Sequence, residues 1–512
     1  MNRLGLFALL IGAGIALGQS PSSEKPIRYP DVKAHAPTPI PDRLVLTWSG
    51  DPATTQAVTW RTDTTVRKSL GQIAAATEGP EFDPRLGLNP AVDVKLVTTL
   101  PAIITYLNTD LGPAHYHSVE FTGLKPSTKY VYRAGDGANW SEWNLFRTAS
   151  EKWEPFGFIY FGDSQNDLKR HWSRVARGAY SAMPDARFIV HAGDLIDNSA
   201  LDLQWGEWHA AAGWINAVVP NVPTPGNHEY GPKPLNFEQE QHYSLLALTG
   251  GTAADPTVPK PPGGNSVHWR PTFTLPPHGP AGLEETVYYL DYQGVRIVSL
   301  NSNEKLKEQI PWLENALANN PNRWTVITFH HPIYSPAKNR DNPQVRELWR
   351  PIFDKYGVDL VLTGHDHTYG RTGLMRDNET ITGNKVYSHS GTVYCVSVSG
   401  PKLYDLNESP LMFSKVEKKQ LYQLIRIDGA KLHYEARTAT GELFDEFELR
   451  KQSNRRNELV ERASLDSERA SANGRGMNGR DALFAVGGMV LLAIGFLVIR
   501  RVYRKRQTAP RI

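Results

Sequence analysis

Five short stretches of the sequence gather side chains able to hold metal ions. They are Gly162-Asp163-Ser164-Gln165, Gly193-Asp194-Leu195-Ile196-Asp197, Gly226-Asn227-His228-Glu229, His330-His331-Pro332 and Gly364-His365-Asp366-His367. A single Gly-Asp after a strand is commonly no more than a turn. The full series, all Asp, Asn and His, has the composition of a ligand set for hard and borderline divalent ions. Two such ions about 3.5–4 Å apart need a bridging carboxylate, with imidazole or oxygen ligands besides. Asp194 is the natural bridge, with Asp163 and His367 on one side and Asn227, His330 and His365 on the other. Such a pair lowers the pKa of a bound water, and the resulting hydroxide attacks phosphorus in line while the ions neutralise the phosphoryl oxygens. His228 is not needed as a ligand. It is placed to bind a phosphate oxygen or to protonate the leaving group, the blander alternative being a hydrogen bond to a carboxylate. Glu229 reads as a support for the ligands.

The elements that must position these residues are strands. FGFIYF, ARFIVHA, NVPTP, WTVITF and VDLVLT precede the five stretches in turn. Ligands in open α/β sheets gather outside the carboxyl ends of strands, where loops converge. From Trp153 onward, solid apolar runs alternate with helical stretches such as IPWLENALANN and PQVRELWRPIFDKY. That grammar predicts an α/β domain over residues 151–450, with β-rich segments closing it. Residues 41–150 instead show short alternating runs (RLVLTWSG, QAVTWRTD, HYHSVEFTGL, TKYVYRAGD), the pattern of an all-β sandwich. Trp48, Trp60, Tyr130, Tyr132 and Trp143 fall on its stripes and read as core, and Cys395, the single cysteine, reads as a buried residue with no nucleophilic role.

The ends of the chain carry a different signal. Residues 1–18 have the charge, apolar run and small-residue ending of a signal peptide, and residues 19–40 form a Pro-rich linker. Residues 482–499 (ALFAVGGMVLLAIGFLVI) hold no charge and would span roughly 27 Å as a helix. The basic residues 500–512 that follow predict a cytoplasmic tail on a single-pass membrane helix, with residues 451–481 as a polar stalk. Of the net charge of +3, the leader holds +1, residues 451–481 hold +2 and residues 500–512 hold +6, which leaves −6 for residues 19–450. The basic excess therefore belongs to the anchor, and no nucleic-acid binding is expected.

On the GD, GD, GNHE, HHP and GHDH blocks, together with FTLPPHGPAGLEETVYYLDY and IPWLENAL between them, the chain resembles the calcineurin-like metallophosphoesterase superfamily. With the sandwich in front, it resembles the purple acid phosphatase branch. The resemblance implies a four-layer α+β metallophosphoesterase sandwich behind a fibronectin-type-III-like domain, and two metal ions, Mn, Zn or Fe. Purple acid phosphatases carry Gly two residues after the first Asp and Tyr three after the second, where this chain has Gln165 and Asp197. Without the tyrosinate, a colourless enzyme is expected, and a strong visible band on an iron-loaded sample would contradict that. Gln165 leaves two options for the first site, a loosely held ion or one that recruits Asp197. The expected function is a membrane-anchored, extracytoplasmic phosphoesterase acting on a small phosphoester. A phosphodiesterase or nucleotide-cleaving enzyme is the alternative within the superfamily, and a surface-tethered binding module with a vestigial site is the alternative of another class. Tyr334, Tyr369 and Arg371, close to the ligands in sequence, are the candidates for substrate contact. His268, Trp269, Arg270 and His278 more readily suit surface packing.

Overall fold

The computed structural model describes residues 32–80, 82–83, 96–231, 265–381, 391–453 and 456–462. The leader, the apolar run at 482–499 and the basic tail lie outside them, and among the described residues no helix is long and apolar enough to cross a membrane.

The N-terminal domain is two four-stranded antiparallel sheets. One runs in the order Asp42–Thr47, Gln56–Asp63, Gly112–Phe121, Ile103–Thr109, and the other Thr98–Pro101, Leu70–Ala75, Lys129–Gly135, Asn144–Arg147. Trp60, Tyr130, Tyr132 and Phe146 meet between the sheets, as the alternating pattern requires. Trp143 is half-buried, with Arg133 over its ring at 4.4 Å.

The larger domain pairs two seven-stranded mixed sheets. In the first, Asn221–Pro223, Ile189–His191 and Phe156–Phe161 are parallel neighbours, and Leu421–Asp428, Lys431–Thr438 and Leu443–Lys451 continue it antiparallel. In the second, Val295–Ser299, Trp324–Thr328, Leu360–Thr363 and Val393–Val396 run parallel. Every residue of Phe156–Phe161, Trp324–Thr328 and Leu360–Thr363 is buried, because each strand is covered on both faces. Phe158, Tyr160, Leu362, Cys395, Ile425 and Tyr434 share one core where the sheets face each other. Helices Ile310–Ala318 and Pro343–Tyr356 bury Leu313, Trp349 and Phe353 against the outer side of the second sheet.

Two boundaries differ from the expectation. The linker ends in a short helix α1 (Val32–His35), whose His35 is buried. The first sheet also runs on past residue 450. Asn457–Glu461 pairs antiparallel with Leu443–Lys451, so the segment read as stalk begins as an edge strand. Its polar composition hid it, since Glu461 spends its charge on the buried Arg371 at 2.9 Å.

Helices α2 (Ser173–Ala182) and α3 (Asp202–Ala212) belong to the first sheet's outer layer, α2 contributing Val175 and Ala179 to the core and α3 Trp205 and Trp208. The sandwich's Val45, Trp48 and Ala149 enter the same core, so the two domains share one apolar interior.

Candidate metal centre

The five motif-bearing loops leave the carboxyl ends of parallel strands in both sheets and meet in one place. Phe161 leads to Asp163, His191 to Asp194 and Pro223 to Asn227 in the first sheet, and Thr328 leads to His330 and Thr363 to His365 in the second. Two glycines make the meeting possible. Gly193 has φ 86°, and a Cβ there would lie 2.7 Å from Gly226 Cα and from His330 Nδ1. A Cβ on Gly226 would lie 2.2 Å from Asp194 N. Only glycine lets the two backbones approach that closely. Three ligand-type residues themselves occupy the left-handed region, Asp194 at φ 51°, His365 at 72° and His367 at 48°. Strain of about 1–3 kcal/mol each persists only where the surroundings over-determine the backbone.

The donors form two groups that share Asp194. Asp194, His330 and His365 offer ligand atoms within 4.8 Å of one another, and so do Asp163, Asp194 and His367. Asn227 joins the first group: its Oδ1 lies 3.0 Å from His330 Nε2 and 2.9 Å from His365 Nδ1. All six residues expected as ligands are therefore brought together. His330 Nδ1 lies 2.9 Å from the Ala192 carbonyl and His367 Nδ1 2.8 Å from the Lys402 carbonyl. Each contact places the N–H on Nδ1 and turns the Nε2 lone pair toward the centre.

The residues fit a metal pair. Both Asp163 oxygens and Gln165 Oε1 are buried without a hydrogen-bond partner, whereas buried polar atoms are nearly always partnered. Burial and the neighbouring Asp194 push Asp163 up to about 7. Burial works against the charged form of His330, but Asp194, 3.2 Å from its Nε2, outweighs it and raises His330 to about 9. Without cations, such a centre would have to hold protons, which bound divalent ions would displace.

Glu229 holds the Asp194 loop rather than facing the centre. Its carboxylate accepts the backbone N–H groups of Gly226 (2.6 Å), Leu195 (2.8 Å), Asp194 (2.9 Å) and Ile196 (3.3 Å). A Glu229→Gln amide cannot accept all four. The expected result is metal affinity lower by about 10–100-fold, measured by calorimetric titration, with a smaller loss of thermal stability. Unchanged affinity would show that the loop needs no such clamp.

The Gln165 and Asp197 alternatives separate clearly. The Gln165 amide sits 2.8 Å from His367 Nε2 and 3.0 Å from Asp194 Oδ2, inside the group of Asp163, Asp194 and His367. Asp197 instead serves His228. Its carbonyl lies 2.6 Å and its Oδ1 3.2 Å from His228 Nδ1. His228 Nε2 is 3.8 Å from Asp194 Oδ2, beside the centre and outside the ligand shell.

Other expectations fail for a common reason, burial. Tyr369 and Arg371 do not reach substrate. Tyr369 donates to Asp445 at 2.7 Å, and Arg371, 1% exposed, pairs with Asp445 and Glu461. Tyr334 is buried and donates to Asn378 at 3.0 Å. His268 and Trp269 are buried too, not surface groups, while Arg270 is exposed and pairs with Glu285. Sequence reasoning missed Arg340, which contacts His365 Nε2 and donates to Asp366 at 2.8 Å, and Tyr404, whose ring lies 4.6 Å from that of His367. Neither sits in a motif, so no local signal marks them.

Residues 158–369 match the calcineurin-like phosphoesterase family, and residues 41–148 match the purple acid phosphatase N-terminal domain. The chain carries a calcineurin-like metallophosphoesterase domain behind a purple acid phosphatase N-terminal domain. The metallophosphoesterase match takes in Asp163, Asp194, Asn227, His228, His330, His365 and His367. Acid phosphatase type 7 of Danio rerio is 29% identical over 305 residues, covering 53% of this chain and 60% of its own length. Acid phosphatase type 7 of Homo sapiens is 25% identical over 374 residues, covering 68% and 75%. The purple acid phosphatase from yellow lupin (Lupinus luteus) seeds shares the fold, with a TM-score of 0.61 at 18% identity over 80% of this chain and 74% of its own.

Proposed function

We propose that this protein is a metal-dependent phosphoric ester hydrolase, and that the apolar segment 482–499 anchors it with its catalytic domain on the extracytoplasmic side. The observation that carries the enzymatic reading is the convergence of Asp163, Asp194, Asn227, His330, His365 and His367 on one centre, with the buried Asp163 carboxylate accepting no hydrogen bond. The intact ligand set argues against a binding module with a vestigial site.

Two divalent ions held there would supply Lewis-acid polarisation of the phosphoryl group and a lowered pKa for the attacking water. Asp194 ties the two halves of the centre together, and His330 and His367 present fixed lone pairs. His228, oriented through Nδ1 by Asp197, presents Nε2 beside the centre and donates a proton to the departing alkoxide. Arg340, adjoining His365, is positioned to meet an anionic substrate at the rim.

Purified protein should hydrolyse p-nitrophenyl phosphate, and a chelator should remove that activity while added Mn or Zn restores it. The bis(p-nitrophenyl) ester run in parallel distinguishes monoesterase from diesterase. Hydrolysis of neither ester by metal-loaded protein would refute the phosphoesterase reading. The anchor is tested by fractionation: the full chain should stay with membranes after a high-salt wash, and release by salt alone would refute a spanning helix.

A further inference from the structure

The N-terminus of α3 lacks a cap of its own. Its N-cap residue is Leu201, which offers no side-chain acceptor, although the first N–H groups of a helix need one. The acceptor comes from the other domain. Asp110, on the turn between Ile103–Thr109 and Gly112–Phe121 of the sandwich, accepts Asp202 N–H at 2.6 Å and Leu203 N–H at 3.3 Å. The sandwich also grips the Asp202 side chain, through Arg43, Arg61 (2.9 Å) and Tyr116 (2.6 Å). Asp202 and Arg61 are wholly buried, and Asp110 is 1% exposed.

The same helix end holds the loop that orients His228. Gln204 Oε1 accepts the backbone N–H groups of Asp197 at 2.9 Å and Asn198 at 2.7 Å. Hydrogen bonds at both ends of the first turn of α3 thus connect the sandwich to Asp197 and His228 through the helix backbone. We infer that the N-terminal sandwich is a positioning element for catalysis: by capping α3 from outside and fixing Asp202, it sets Asp197 and hence the aim of His228. Asp110, Tyr116 and Arg43 are the positioning residues. They touch no substrate and act only through α3.

This inference rests on the proposed role of His228 as proton donor, and leaving-group dependence tests it. A proton donor matters for an alkyl phosphate, whose departing alkoxide is strongly basic, and little for p-nitrophenyl phosphate. His228→Gln sets the scale for loss of the proton donor. In Asp110→Ala, which removes the cap, the rate on an alkyl phosphate should fall about tenfold more than the rate on p-nitrophenyl phosphate, with metal content unchanged, since displacements near 1 Å are costly to catalysis. Tyr116→Phe should shift the ratio the same way, by about threefold. Should Asp110→Ala fail to fold, Tyr116→Phe decides alone. If the folded, metal-loaded variants lose both activities in parallel, or neither, while His228→Gln shifts the ratio, the sandwich is only a structural partner and the inference is overturned. If His228→Gln itself leaves the ratio unchanged, the proton-donor role falls and takes the inference with it.

Discussion

Asp194→Asn should keep the fold and lose at least about 10³ in hydrolysis rate, some 4 kcal/mol of transition-state stabilisation. The substitution isolates charge from shape. Asparagine tolerates the left-handed backbone at φ 51°, the Asp194 N–H still reaches Glu229, and the amide oxygen still accepts His228 N–H at 2.8 Å. What disappears is the one carboxylate common to both ligand groups. A neutral amide is a weaker ligand and cannot bridge two cations in the same way. The variant should therefore bind less metal than the parent, with an unchanged circular dichroism spectrum. Full activity in Asp194→Asn would remove the dinuclear reading altogether.

The second large effect is selective. His228→Gln should lower turnover of an alkyl phosphate by about 10²–10⁴, with a much smaller loss on p-nitrophenyl phosphate. Metal content should stay at the parent level, because His228 Nε2 lies 3.8 Å from Asp194 Oδ2 and none of the ligand groups includes it. Steady-state rates on the two esters, with metal analysis of the same samples, provide the check. An equal loss on both esters would mean that His228 binds a phosphate oxygen in the ground and transition states alike.

These predictions draw on a site that is largely readable in the sequence. Metal chemistry restricts ligands to a few residue types, and the sheet places them at strand ends, so Asp163, Asp194, Asn227, His330, His365 and His367 stand out from local pattern alone. The mixed fold and its all-β front domain follow from solid against alternating apolar runs. What the sequence conceals is long-range polar pairing. Arg371 and Tyr369 look available for substrate because Arg is ordinarily exposed, yet Asp445, 74 residues from Arg371, neutralises the guanidinium inside the sheet. Asp197 carries no mark that separates a ligand from the partner of His228. The cap on α3 is invisible for the same reason, since Asp110 lies 92 residues before the N–H it accepts. The strand Asn457–Glu461 is hidden by polarity, as edge strands often are.

The central claim is that this chain builds a two-ion centre, and metal stoichiometry tests it most directly. Protein stripped with chelator and reconstituted with Mn or Zn should bind two equivalents per chain by mass spectrometric metal analysis, and Asp163→Ala should reduce that number to one or less. Binding of no metal by the folded, active protein would contradict the account.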